Sequence, residues 1–349
     1  MHTLIVTGGA GFIGSELVRQ ILARGDRVIN LDALTYAGNL DNLKDIAGHE
    51  NYQFVHGTIC NSALVSELMT KWAPDAILNL AAESHVDRSI DGPRVFFDTN
   101  VSGTLTLLEC LRAHNANQDR KTTFVHVSTD EVYGPVPDGY TDENAPYRPS
   151  SPYAASKAGS DHLAMSYHTT YGLPVMVTNG SNTYGRNQFP EKLLPLHILN
   201  ALEAKPLPIY GKGENVREWL HVSDHASCIL AVFDHGTPGN AYNIGGGNER
   251  TNIEIITGLC AILDDEAPRT DGQPHDIGIT YVTDRPGHDT RYALNSEKAR
   301  TQLNWQCQTA LSDGLRTTVR WYIDNMDWCR NITETSYDRR RLGGPAATP

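Results

Sequence analysis

A chain of 349 residues, 40% of them hydrophobic and 20% charged, has the composition of a soluble globular protein and the length for one large core or two intimate ones. Its formal net charge of −12 excludes nucleic acid as a general partner and obliges any anionic ligand to find local positive charge. No apolar run approaches the ~18 residues of a membrane span. The six cysteines have no metal-ligand spacing, so reduced thiols, a cytoplasmic setting and no metal are expected.

Thr3–Thr7 is a short, continuously apolar, β-branched run, as expected of a parallel strand buried on both faces, and no targeting segment is expected ahead of it. Gly8, Gly11 and Gly14 follow, and then a stretch in which Leu17, Ile21 and Leu22 recur at helical spacing. In a strand–turn–helix context Gly8 allows the tight turn, Gly11 lets backbone approach a pyrophosphate, and Gly14 lets helix pack on strand. The phosphates would sit at the helix N-terminus. A second strand, Arg27–Asp32, ends in an acidic residue placed to bond the adenosine ribose hydroxyls. That carboxylate would repel a 2′-phosphate, and no arginine follows at once, so NAD is expected rather than NADP.

Tyr52–Gly57, Ala76–Ala81 and Thr122–Thr129 read as further strands, with helices over Ser62–Trp72 and Val95–His114. This alternation predicts an α/β protein: a Rossmann-type doubly wound parallel sheet with ligands at the strands' C-terminal ends, and a smaller mixed α/β C-terminal substrate domain. The expected division is 1–182, with some later segments returning to it, then 183–330, then a polar tail over 331–349. Residues 264–276 read as a polar surface loop.

Two clusters carry chemistry. Tyr153 and Lys157 lie four apart at the start of a helical stretch, on one face. An ammonium beside a phenol favours the phenolate and makes a base of it, although most Tyr-x-x-x-Lys pairs are merely exposed helix neighbours. Thr129, Asp130 and Glu131 close the fifth strand on the ligand side. Adjacent buried carboxylates repel each other and separate their pKa values, which is a way to obtain one acid and one base. The same Asp-Glu pair could instead simply cap a helix.

With these motifs stand TGGAGFIG (7–14), LDALTYAGNLDNL (31–43), LAAESHVDRSI (80–90), STDEVYG (128–134), SPYAASKA (151–158), FPEKLLPL (189–196), VREWLHVSDH (216–225), YNIGGGNERTN (242–252) and VTDRPGHDTRYA (282–293). Through them the chain resembles the extended short-chain dehydrogenase/reductases, and among these the dTDP-glucose 4,6-dehydratase family. The resemblance implies an NAD-dependent dehydratase of a nucleotide sugar, working as a homodimer through the helices over 95–114 and 153–171. It implies that Tyr153 takes the C4-hydroxyl proton, that Lys157 holds the ribose and lowers the Tyr153 pKa, and that Thr129 bonds the C4 oxygen. Glu131 would take the C5 proton and Asp130 would protonate the departing C6 hydroxyl.

For the cofactor, the resemblance implies Phe12 and Ile13 at the pyrophosphate and Asp32, Ala33, Leu34 and Thr35 at the ribose. Thr58 and Ile59 would meet the adenine, and Ala81, Ala82, Ser84 and Thr99 the middle of the molecule. For the substrate it implies Ser84 and Asp87 near the sugar. Arg217, Arg285 and His288 would hold the diphosphate, with Lys192 and its neighbours Glu191 and Leu193 close by, and Asn182, Pro208, Tyr210 and Asn252 would complete the site. His85, His126 and His221 are expected to be structural.

Three positions depart from the family pattern: Thr58 in place of an Asp, Thr183 in place of an Asn, and Arg186 in place of a Pro. Another nucleotide-sugar 4,6-dehydratase acting on a UDP-sugar, a sugar-nucleotide 4-epimerase, and a nucleotide-binding protein without chemistry are the other readings. Asp130-Glu131 speaks against the epimerase, and the intact Thr-Asp-Glu and Tyr/Lys sets speak against the last.

Overall fold

The computed structural model describes residues 1–339 apart from 117, 285, 286, 336 and 338. Seven parallel strands form its main sheet: β1 (Thr3–Thr7), β2 (Arg27–Asp32), β3 (Tyr52–His56), β4 (Ala76–Asn79), β5 (Thr123–Thr129), β6 (Val175–Gly180) and, much later, β10 (Ala241–Ile244). Their spatial order is β10-β6-β5-β4-β1-β2-β3, so the chain reverses direction across the sheet between β1 and β4. In such sheets the crevice at that reversal receives the ligand.

Successive side chains on a strand point to opposite faces, which is why each strand feeds two cores. Leu4 and Val6 join Val28, Leu78 and Val125 on one face, covered by α1 (Phe12–Ala23) and α8 (Val222–His235). Ile5 joins Ile29, Ile77 and Phe124 on the other, covered by α2 (Ser62–Trp72), α5 (Thr104–Ala116) and α6 (Pro152–Tyr171). Only β3, at the edge, is half exposed along its length.

A second core gathers the later chain. It contains β7 (Asn182–Tyr184), α7 (Leu193–Leu202), β8 (Leu207–Tyr210), β9 (Val216–His221), α9 (Asn252–Glu266), α11 (Leu311–Asp324) and α12 (Met326–Thr335). β11 (Glu249–Thr251) runs antiparallel to β9, and β12 (Ile279–Val282) parallel to β8. Three short helices complete the set: α3 (Val86–Asp91), α4 (Arg94–Phe96) and α10 (Glu297–Gln302).

Two expectations change. The single helix expected over Val95–His114 is interrupted by a π-helical stretch, Phe97–Gly103, between α4 and α5. Buried Asn100 explains it: its side chain exchanges hydrogen bonds with the Glu83 backbone (2.9 and 3.0 Å) and donates to Ser156 Oγ at 2.8 Å. Widened helical turns of this kind cluster at functional sites.

The polar loop expected over 264–276 begins as the last turn of α9. A capping box at Thr251 and Glu254 starts that helix, and its apolar stripe Ile255–Leu259–Leu263 carries it to Glu266. Buried His275 then ties the loop back, its N–H donating to Asp264 and its ring bonding the Ala267 carbonyl. Beyond Asn331, α12 completes its last turn and Tyr337 packs on Phe189, with ring centroids 6.1 Å apart.

Candidate active site

The glycine turn has its shape because side chains are missing. Gly8 has φ +71°, and a Cβ there would lie 2.8 Å from the Ala81 nitrogen. A Cβ on Gly14 would lie 2.1 Å from the Gly8 carbonyl oxygen, so α1 could not close on β1. No side chain caps α1, which leaves its N-terminal N–H groups directed at the cleft. Asp32 braces the turn from β2, accepting from the Ala10 N–H at 2.9 Å and the Leu34 N–H at 2.8 Å. Burial raises its pKa, while those two hydrogen bonds lower it.

One cleft brings most of the expected cofactor residues together. It is lined by Gly8, Gly11, Phe12, Ile13 and Gly14, by Asp32, Ala33 and Thr35, by Thr58 and Ile59, and by Ala81, Ala82, Ser84 and Thr99, with Tyr153 and Lys157 at its inner end. Glu191 and Lys192 line it from the other side. Leu34 does not: at φ +49° it turns its side chain onto the core beneath α1. Glu83, within the 81–84 stretch expected there, lines it as well, and the sequence reading missed Tyr36, Ser128 and the Asn187–Phe189 turn, which line it too. Asn187 at φ +63° was the local sign of that turn. An extended dinucleotide fits this cleft: a Cβ at Gly8 or Gly14 would collide with the backbone around the glycine cradle, and an acidic side chain stands at the β2 end.

Glu191, which lines the cleft, is also engaged by protein. Arg88 donates to it at 2.8 Å and also lies over the Tyr36 ring, 4.0 Å from its centroid. Most of the remaining substrate candidates lie around the second core. Arg217 donates to the Asp289 carbonyl at 2.9 Å and sits 4.6 Å over the Tyr292 ring. Asn215 donates to the same carbonyl, and the Asn252 N–H donates to the Asn215 carbonyl. His288 pairs with Asp284 at 2.6 Å and meets the Tyr210 ring edge-on. Pro208 pairs along β8–β12, Asn182 opens β7, Leu193 opens α7, and Asp87 is buried in the first turn of α3. Arg285 lies outside the described residues.

At the β5 end, Thr129 Oγ1 donates to Asp130 Oδ1 at 3.2 Å and accepts from the Glu131 N–H at 3.3 Å. The Asp130 carboxyl is 4% exposed, and its Oδ2 has no hydrogen-bond partner among the described residues. Burial first, then the Glu131 and Glu218 charges, push its pKa well up, against the pull of Arg217. The Tyr153 phenol is held above its ordinary value by burial and by the Glu131 charge, and a hydrogen bond with Thr129 opposes them.

The expected lowering of Tyr153 by Lys157 is not what this geometry gives. The Lys157 ammonium donates to the Val127 carbonyl at 2.7 Å, and burial depresses its pKa to about 8. Burial and the charges of Glu131 and Asp130 decide the sign for the phenol.

The three departures have structural consequences. Thr58 Oγ1 accepts from the Cys60 N–H at 3.2 Å. Thr183 Oγ1 bonds the buried His225 ring at 2.7 Å. Arg186 pairs with Glu16 of α1 at 2.7 Å, so an ion pair ties down the loop that a proline would have stiffened. His126 and His221 are hydrogen-bonded within the fold.

Sheet order, glycine cradle, Tyr153/Lys157 and the strand-end carboxylates define a nucleotide-sugar enzyme of the short-chain dehydrogenase/reductase type. Residues 5–318 match the family described as GDP-mannose 4,6 dehydratase, and the chain belongs to it. It is 51% identical to the dTDP-glucose 4,6-dehydratase of Xanthomonas campestris pv. campestris (strain B100), over 98% of this chain and 99% of that protein. The crystal structure of a dTDP-glucose 4,6-dehydratase from Streptomyces venezuelae with NAD and TYD bound superposes with a TM-score of 0.87 at 47% identity, covering 95% of this chain and 99% of that one. A Thermus thermophilus UDP-glucose 4-epimerase in complex with NAD gives 0.82 at 28% identity, covering 93% and 99%.

Proposed function

We propose that the protein is a dTDP-glucose 4,6-dehydratase, converting dTDP-glucose to dTDP-4-keto-6-deoxy-glucose and water. The observation that carries this reading is Asp130: a buried carboxyl beside a second carboxylate, its hold on a proton strengthened by burial and by the Glu131 charge, with one oxygen lacking a partner among the described residues. Simple oxidation of an alcohol, or a 4-epimerisation, needs no such acid.

NAD, when bound along the glycine cradle and Asp32, takes hydride from C4 and returns it at C6. Tyr153 Oη takes the C4-hydroxyl proton, a role that requires its phenolate, and Thr129 Oγ1, whose hydrogen bond is the influence that lowers the phenol, holds the C4 oxygen. Lys157, fixed to Val127, reaches the ribose. The C4 ketone acidifies C5, and Glu131 takes that proton. Asp130 gives its proton to the C6 oxygen, which leaves as water, and Glu131 then reprotonates C5. Arg217 and Lys192, with Arg285, supply the positive charge a diphosphate needs, and His288 a further hydrogen-bonding ring.

Residues 1–182 together with β10 act as the cofactor-binding unit, and 183–330 as the nucleotide-sugar unit. Exposed Val95, Phe97, Leu105 and Tyr171, on or beside the π-interrupted helix and α6, support a homodimer. The six free cysteines fit a cytoplasmic enzyme. Incubation with dTDP-, UDP- and GDP-glucose, read as alkali-induced absorbance of a 4-keto sugar, tests the assignment. Product from dTDP-glucose alone is expected; a 4-epimer, or no 4-keto product, would overturn it.

A further inference from the structure

α6 carries a third ionisable group on the face that presents Tyr153 and Lys157. Asp161 follows Lys157 by four residues, so the three form one stripe at i, i+4 and i+8. Asp161 is 1% exposed. Burying a carboxylate so completely is costly unless donors and an opposite charge compensate it. Donors reach its Oδ2 from three elements: Ser128 Oγ of β5 at 2.7 Å, the Tyr147 hydroxyl at 3.1 Å, and Asn179 Nδ2 of β6 at 3.4 Å. The same Asn179 amide lies 3.3 Å from the Thr129 carbonyl. Its Oδ1 has one neighbour of another kind, the His126 ring, with Nε2 at 3.3 Å.

His126 stands between Asp161 and Lys157, whose Nζ lies 3.5 Å from the same Nε2. The tautomer follows from the hydrogen bonds. Thr7 donates to Asn79 Oδ1 at 2.6 Å, which turns the Asn79 amide nitrogen to His126 Nδ1 at 3.0 Å. Nδ1 is therefore the acceptor, and Nε2 carries the proton, which it donates to Ser160 Oγ at 3.0 Å with Asp161 Oδ1 3.3 Å away. Burial first, then the Lys157 charge, holds the imidazolium back to about 4, so the ring between the two charges is neutral.

We propose that Asp161 is a positioning residue for the dehydration. Across the neutral His126 ring it supplies the negative charge that keeps buried Lys157 an ammonium ion, and through Ser128 and Asn179 it fixes the strand end that carries Thr129 and Asp130. This rests on the catalytic reading above.

Burial depresses Lys157 to about 8, and the Asp161 charge is the influence opposing it. The other ionisable groups around the pair are Tyr153 on α6, His126 on β5, Asp130, Glu131 and Tyr133 just after β5, and Tyr147. At neutral pH His126 and the phenols are uncharged, since burial raises Tyr133, Tyr147 and Tyr153. The sign is then fixed. Removing the Asp161 charge removes the support for the ammonium, so Lys157 loses its proton at lower pH.

The test uses the NAD-loaded protein with ¹³Cε-labelled lysine, the Lys157 signal being assigned by its loss in Lys157→Met. Asp161→Asn should lower the Lys157 titration midpoint by about one unit, and the alkaline limb of kcat should move down by the same amount. Asp161→Glu, which restores the charge, should bring both back toward wild type. Asp161→Ser is a second neutral variant, held to the same prediction should the Asn variant fail to fold. An unmoved midpoint in a folded neutral variant, whatever its rate, would overturn the proposal. The midpoint is read without turnover, so absence of 4-keto product from the wild-type enzyme would sink the functional reading separately.

Discussion

At the glycine end of the cleft, shape comes from missing side chains; at the β5–α6 end it comes from buried charge. The first region tolerates no Cβ at Gly8 or Gly14, since one on Gly14 meets the Gly8 oxygen at 2.1 Å and one on Gly8 meets the Ala81 nitrogen at 2.8 Å. The second holds Asp130, Lys157, Asp161 and His126 almost out of water, each within a few ångströms of a polar or charged partner. The contrast follows from what each must do. A long anionic cofactor needs backbone N–H groups and close approach, which steric exclusion provides. Proton transfers need groups whose affinities for protons have been separated, which only burial and neighbouring charge provide.

Breaking the first region should have the largest effect. Gly14→Ala forces α1 away from the turn; NAD binding by isothermal titration should be lost, with stability down by roughly 2–3 kcal/mol, read by urea unfolding. Retention of wild-type NAD affinity would show that the cradle is not set by that contact.

The second region breaks differently. Asp130→Asn keeps the shape and removes the proton, so kcat should fall by about 10²–10⁴-fold while NAD affinity and stability stay near wild type. A large loss of stability would mean that Asp130 is structural.

A smaller effect sharpens the same contrast. His126, His197 and His225 are fully buried, with pKa values held down to about 4 by burial, below the ordinary 6.5. Their folded-state pKa values are depressed, so the unfolded chain binds protons first as pH falls. The stability they contribute is full above about pH 6.5 and is lost progressively toward pH 4. Each should cost roughly 1 kcal/mol per pH unit across that window, measurable as a falling urea midpoint. A flat midpoint from pH 7 to 5 would contradict the assignment of neutral, buried rings.

The same contrast decides how much the sequence disclosed. Gly8, Gly11, Gly14 and Asp32 were legible because a turn is a local object and its spacing is its geometry. Thr129-Asp130-Glu131 and Tyr153/Lys157 were legible as motifs, and the strand and the helix that carry them fell where the sequence pattern placed them. Their electrostatics were not legible. Lys157 was expected to lower Tyr153, yet its ammonium reaches the Val127 carbonyl, and the phenol faces Glu131 and Asp130 instead. Asn100 widening a helix, Arg88 claiming Glu191, and Asp161 gathering Ser128, Tyr147 and His126 join residues 14 to 103 positions apart. No periodicity records contacts of that kind. The departures behaved likewise: Arg186 read as the loss of a stiff proline, and its compensation by Glu16 lies 170 residues away.

The most direct test of the central claim is the fate of the C5 proton. In deuterated buffer with dTDP-glucose, the wild-type enzyme should yield a 4-keto-6-deoxy product carrying deuterium at C5, read by mass spectrometry and NMR. Glu131→Gln should still oxidise C4, seen as the absorbance of reduced nicotinamide in single turnover, but should place no deuterium at C5 and release no 6-deoxy product. Unchanged deuterium incorporation and turnover in that variant would remove Glu131 from the proton transfer and, with it, the division of labour between the two carboxylates.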